Sequence, residues 1–204
     1  MHKLFLIGMG LVVACTACTT RVNKLRLPDL FVSETDLTHD HRGVYYYGEK
    51  PFSGYAFELY ENGEIKKESS YYEGKLEGNM IGYYSTGDTA YVRPYHLGEK
   101  QGDHLCFYPD GRPKFSYQFE QGLSEGIHRA WYPTGLLKME LNYQNGKEAG
   151  LQRVWRMDGK LKSNYVVKDN GRKYGMLGLK RCSKIDSETQ NIDPYLGVQL
   201  TVSK

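Results

Sequence analysis

A period of 24 residues constrains this chain more than any other feature. Glycines fall at Gly54, Gly78, Gly102, Gly126 and Gly150, each 24 residues after the last. A second row runs Gly63, Gly87, Gly111, Gly135 and Gly159, and a third Gly74, Gly98, Gly122 and Gly146. Large side chains keep the same step. Their rows are Tyr60, Tyr84, Tyr108, Tyr132; Leu59, Tyr83, Phe107, Trp131, Trp155; and Tyr71, Tyr95, Phe119, Tyr143, Val167. Six rows without slippage over five copies define a tandem array, in which each unit packs on its neighbours. One extra residue enters near Asn170, where Gly171 and Gly175 restart the spacing late.

Each unit reads as strand, turn, strand, turn. Asn62-Gly63, Thr86-Gly87, Asp110-Gly111, Thr134-Gly135 and Asp158-Gly159 mark a tight hairpin turn. Glycine there supplies positive φ, and Asn or Asp suits the residue before it. Gly74-Lys75-Leu76-Glu77-Gly78 and its copies mark a second, longer turn. The expected fold is all-β, an elongated antiparallel meander of about ten strands over residues 44–175. The 18 Tyr and 23 Gly of the 204-residue chain suit such strands and turns.

Strand side chains alternate between faces. By parity, Tyr55, Phe57, Leu59, Tyr83, Leu105, Phe107, Trp131 and Trp155 share a face with Tyr71, Tyr95, Phe115, Tyr117, Phe119 and Tyr143. Arg93 and Arg129 intrude on that aromatic face. Lys66, Lys114, Lys138 and Lys162, with Glu68 and Glu140, fall on the opposite, polar face. The repeats encode no second layer for the aromatic face, although domains normally need two. Either the sheet curls on itself, or the flanking segments cover it, or another molecule does. The candidate binding residues are Tyr83, Phe107, Phe119, Trp131, Tyr143 and Trp155. Exposed aromatic surface marks interaction sites, and Tyr and Trp are enriched in binding hot spots.

The residues Tyr71-Tyr72-Glu73-Gly74-Lys75-Leu76-Glu77-Gly78, leading to Tyr84 and Gly87, resemble a MORN repeat in its bacterial variant. Tyr143 to Gly150, leading to Trp155 and Gly159, resembles it again. The resemblance implies a sheet of hairpin repeats. It also implies kinship with the YwqK family antitoxins of toxin–antitoxin systems, and members of the wider family have been linked to phospholipids. Repeats of this kind serve as scaffolds in many settings, so the resemblance speaks to fold before function.

The N-terminus reads as targeting. Lys3 precedes an apolar run, Leu4 to Ala14, too short to span a bilayer as a helix but suited to a signal segment. Val12-Val13-Ala14-Cys15 resembles the lipobox of bacterial lipoproteins, with Cys18 as the alternative acylated residue. The resemblance implies cleavage before Cys15 and a lipid anchor in the bilayer of a bacterial envelope. Thr16 rather than Asp after Cys15 implies the outer membrane in a Gram-negative cell. The expected organisation is a signal peptide over 1–14, an anchor and tether over 15–43, repeats over 44–175 and a capping tail over 176–204. Leu27 to Val32 is a candidate edge strand. Export permits a disulfide, for which Cys106 and Cys182 are the candidates.

Signs of catalysis are few. A net charge of +3 is too small for a nucleic-acid surface. His104 and His128 share one repeat position with Met80 and Gln152. They stand two strands apart, about 9.6 Å, too far for a shared ion in a flat ladder, and read as solvated histidines. There is no Gly-x-Ser-x-Gly and no phosphate-binding loop, and the one Cys-x-x-Cys lies in the signal segment. No metal or other cofactor is expected. The chain reads as a non-enzymatic envelope lipoprotein that binds an envelope protein through its aromatic face. The alternatives are a module for phospholipid headgroups or glycan, and an antitoxin-like component.

Overall fold

A computed structural model describes residues 25–178. The chain opens with β1 (Phe31–Ser33), a 3-10 turn (Glu34–Asp36), β2 (Leu37–His39), β3 (Tyr45–Tyr47) and β4 (Lys50–Pro51). The array follows as β5 (Gly54–Leu59), β6 (Ile65–Tyr72), β7 (Lys75–Leu76), β8 (Gly78–Tyr83), β9 (Thr89–His96) and β10 (Glu99–Lys100). It continues with β11 (Gly102–Phe107), β12 (Pro113–Glu120), β13 (Leu123–Trp131), β14 (Leu137–Gln144), β15 (Lys147–Trp155), β16 (Leu161–Val167) and β17 (Lys173–Met176). From β5 to β17 the strands pair antiparallel in chain order, with β7 and β10 as short lead-ins to β8 and β11. The fold is the expected all-β meander, without an α-helix among the described residues.

The two turns exchange the lengths expected of them. The connection between units is the shorter. Glu73-Gly74, Leu97-Gly98, Gln121-Gly122 and Asn145-Gly146 all have positive φ, from 46° to 50° at the first residue. Tyr72 pairs with Lys75, and His96 with Glu99, around two-residue loops. Two consecutive positive φ values define the type I′ hairpin turn, whose twist matches that of strands. The connection within a unit is longer. Leu59 pairs with Ile65 across five residues. Tyr60 N–H donates to the Glu64 carbonyl at 2.8 Å and Gly63 N–H to the Tyr60 carbonyl at 2.9 Å, with Gly63 at φ 85°. The Asn62, Asp110 and Asp158 side chains each accept a backbone N–H two residues on, at 3.0–3.1 Å. The extra residue near Asn170 has a cause: Lys168–Arg172 repeats this longer turn at the place where the preceding units have the two-residue loop.

A β-bulge in the hairpin within each of the five units decides the faces. Leu59 pairs with Ile65 but Glu58 pairs with Lys67, leaving Lys66 over. Ala90, Lys114, Lys138 and Lys162 are left over in the same way. One surplus residue reverses the parity of the second strand. Direct partners are therefore Gly54 and Tyr71, His104 and Tyr117, Gly126 and Tyr143. Tyr55 faces Ser70, and Leu105 faces Ser116. The single aromatic face expected from parity is corrected to two. Tyr95, Phe115, Tyr117, Phe119 and Tyr143 lie on one side with His104 and His128, the ring face. Tyr83, Phe107, Trp131 and Trp155 follow the other side. There the Tyr83 hydroxyl donates to Glu68 at 2.7 Å, and the Arg153 guanidinium lies 5.6 Å from the Trp155 ring. Nor does the lysine row form a polar face. Lys66 shares Glu58 with Lys67, at 2.5 and 3.4 Å. The amines of Lys66, Lys114 and Lys138 stand 6.0, 5.7 and 5.7 Å over the turn rings Tyr60, Tyr108 and Tyr132.

Much of the segment expected as a tether is folded. β1 adds to β5 in parallel, Phe31 opposite Tyr55, so the candidate edge strand forms at Phe31–Ser33. β2, β3 and β4 make a small second sheet over the first unit. Beneath it Phe52, Ala56 and Tyr71 are fully buried, packed by Val32, Leu37, Tyr45 and Leu76. The rings of Tyr45 and Phe52 lie 4.8 and 5.7 Å from that of Tyr71. Lys67 reaches Glu34 of the 3-10 turn at 2.6 Å. The segment expected to be a signal peptide, with Cys15 and the nearby Cys18, and the tail from residue 179 with Cys182, lie outside the described residues.

Candidate functional site on the ring face

The ring face is ordered by a second irregularity, at each boundary between units. Gly102, Gly126 and Gly150 have φ of 68°, 63° and 64°, and the pairing slips between Ser116 and Gln118 and between Leu141 and Tyr143. Side chains of the next strand meet the backbone there. His104 Nε2 lies 2.9 Å from the Pro94 carbonyl and His128 Nε2 lies 2.8 Å from the Gln118 carbonyl. A carbonyl only accepts, so each imidazole carries its proton on Nε2. Gln152 does the same work, donating to the Asn142 carbonyl at 2.8 Å and accepting the Asn142 N–H at 3.1 Å.

The expectation of solvated histidines is thereby corrected. His104 and His128 are 4% and 5% exposed, and burial lowers the pKa of each below its ordinary value. They are members of a ring ladder. Tyr95 to His104 spans 5.3 Å, His104 to Phe119 4.7 Å, Phe119 to His128 5.4 Å and His128 to Tyr143 4.5 Å. Tyr117 stacks between Phe115 and His128 at 4.5 and 4.9 Å. Phe119 thus separates the two imidazoles. Among the described residues no group of three His, Cys, Asp or Glu side chains could hold a metal ion.

At the centre of this face lies a cleft of about 200 Å³, lined by Arg93, Tyr95, Lys100, His104, Phe115, Tyr117 and Phe119. The Arg93 guanidinium stands 4.4 Å from the Tyr91 ring, and the Lys100 amine 4.8 Å from the Phe119 ring. Neither makes an ion pair among the described residues. Cys106 lies beside the cleft, half-buried and opposite Phe115.

Of the six candidate binding residues, Phe119 and Tyr143 belong to the ring face, and Tyr83, Phe107, Trp131 and Trp155 to the other. The row ends in a buried aliphatic residue, Val167, and its four aromatic members, Tyr71, Tyr95, Phe119 and Tyr143, contain their own comparison. Tyr71, under the N-terminal sheet, is fully buried, whereas the other three, without such a cover, are only half-buried. Parity reasoning missed the meeting of Lys100 with Arg93 and His104. The signal was present in the two-residue turn, which brings Lys100 opposite Tyr95.

On the other face Arg129 and Arg153 bracket Glu140 at 2.9 and 2.7 Å, holding its carboxyl below the usual range against the opposing pull of burial. No helix among the described residues is long and apolar enough to cross a membrane. No family model matches the chain, and no curated protein matches it at a significant level.

Proposed function

We propose that the protein is a non-enzymatic lipoprotein of the bacterial envelope whose hairpin array binds a protein partner through the ring face. The observation that carries this reading is the contrast within one repeat row. Tyr71 is sealed by the chain's own N-terminal sheet, and Tyr95, Phe119 and Tyr143 offer the same surface without a cover. Large aromatic side chains beside a cleft are the anatomy of binding hot spots. The lipobox-like Val12-Val13-Ala14-Cys15 supports a lipid anchor, with Cys18 the alternative. The 24-residue pattern supports kinship with MORN-like repeat proteins.

Pull-down from solubilised envelope tests the reading. Replacing Tyr117, Phe119 and Tyr143 with Ala should abolish partner capture, with folding confirmed by circular dichroism. Replacing Phe107, Trp131 and Trp155 should leave capture intact. The reverse pattern would transfer the binding role to the other face, and capture by both variants would make the rings structural only. Radiolabelled palmitate should enter the wild-type chain and be lost from Cys15→Ser, or from Cys18→Ser if the second site is used.

A further inference from the structure

We propose that the ring-face cleft recognises a carboxylate carried on an extended acidic peptide segment. The proposal rests on the reading of the ring face as a partner surface and names the partner's chemistry. Arg93 and Lys100 converge on a cleft walled by Tyr95, Phe115, Tyr117 and Phe119. No Asp or Glu occupies a ring-face position between Gly78 and Tyr143. The carboxylates nearest along that face are already held, Glu58 by Lys66 and Lys67, and Glu148 by Lys173 at 2.6 Å. The central face therefore carries positive charge, in an aromatic setting, with no carboxylate paired to Arg93 or Lys100 among the described residues. A guanidinium matches a carboxylate with two parallel N–H bonds. The surrounding rings suit the apolar stem and flanking residues of a peptide, as in other hot spots.

The test is fluorescence anisotropy of fluorescein-labelled octaglutamate with the purified full chain at low salt. Saturable binding is expected, and Arg93→Gln with Lys100→Gln should weaken it by roughly tenfold or more, because both charge-assisted donors to the carboxylate are lost. Lys114→Gln with Lys138→Gln removes equal charge elsewhere and should change affinity by less than about twofold. Thermal melts should show all variants folded. Inorganic phosphate should displace the peptide no better than sodium chloride of equal ionic strength. The proposal falls if the wild type does not bind, if both double variants lose affinity alike, or if phosphate displaces the peptide selectively. Loss of octaglutamate binding with envelope capture intact would remove the carboxylate site and keep the partner surface. Octaglutamate binding without any envelope capture would keep the site and remove the wider reading.

Discussion

A histidine proton buried in a one-layer sheet needs an acceptor, and His104 and His128 each find one in a carbonyl at a unit boundary. Gln152 serves the same position, so exchange between the two residue types should be tolerated. His128→Gln is expected to change stability by less than about 1 kcal/mol in urea titration, while His128→Leu should cost about 1–3 kcal/mol by stranding the Gln118 carbonyl. The same burial makes stability depend on pH. Unfolded imidazole takes up a proton below about pH 6.5. The folded imidazoles resist, because burial lowers their pKa. The unfolded state therefore binds more protons in this window, and stability falls as pH drops below that value, levelling off only below the folded pKa. The melting temperature should show this decline, and His104→Gln with His128→Gln should flatten it. The tyrosines of the longer turns bond across units: Tyr60, Tyr84, Tyr108 and Tyr132 donate to the carbonyls of Tyr83, Phe107, Trp131 and Trp155 at 2.7–2.9 Å. Tyr84→Phe should lose roughly 1 kcal/mol, the usual net value of such a bond.

Between units, the type I′ turn explains why glycine recurs where it does, and also exposes a weakness. Leu97 sits at φ 48° and is 41% exposed, a conformation that costs a branched side chain roughly 1–2 kcal/mol. Asn145 holds the equivalent place with the favoured Asn-Gly pair. Leu97→Asn should therefore raise the urea midpoint and Asn145→Leu lower it; equal effects in one direction would refute the account. Each turn is also tied to the unit before it. Leu97 N–H, Gln121 N–H and Asn145 N–H donate to the side chains of Glu77, Gln101 and Glu125 at 2.8–3.0 Å. Elements and period were legible in the sequence because glycine and aromatic rows repeat without slippage. The faces were not, because the bulge at Lys66 and its copies leaves no compositional mark: lysine there looks like any solvent-facing residue. The boundary slip at Gly126 was equally silent, since its glycine serves strand and turn readings alike. The cleft was lost with the faces, as Arg93 was read beside rings that lie on the other side.

For the molecule as a whole, the two ends differ in kind. Phe52 and Tyr71 make the densest core at the N-terminal end, whereas β17 at the other end of the described array is exposed at all four residues. Phe52→Ala should cost about 3–5 kcal/mol. Amide exchange should be slowest in β5 and β6 and quicken toward β17, and uniform protection would argue against this gradient. The tyrosine and turn bonds share one property beyond their strength: every one runs from a unit to the next, and the row ends where Arg156 replaces tyrosine. A chain stitched only between neighbours is indifferent to how many neighbours there are. Excision of residues 126–149 would set Tyr108 opposite Trp155 with all stitches closed, whereas excision of twelve residues would leave strands without partners. The length of the array is thus a quantity that gene duplication and loss can adjust in whole steps, without redesign of what remains.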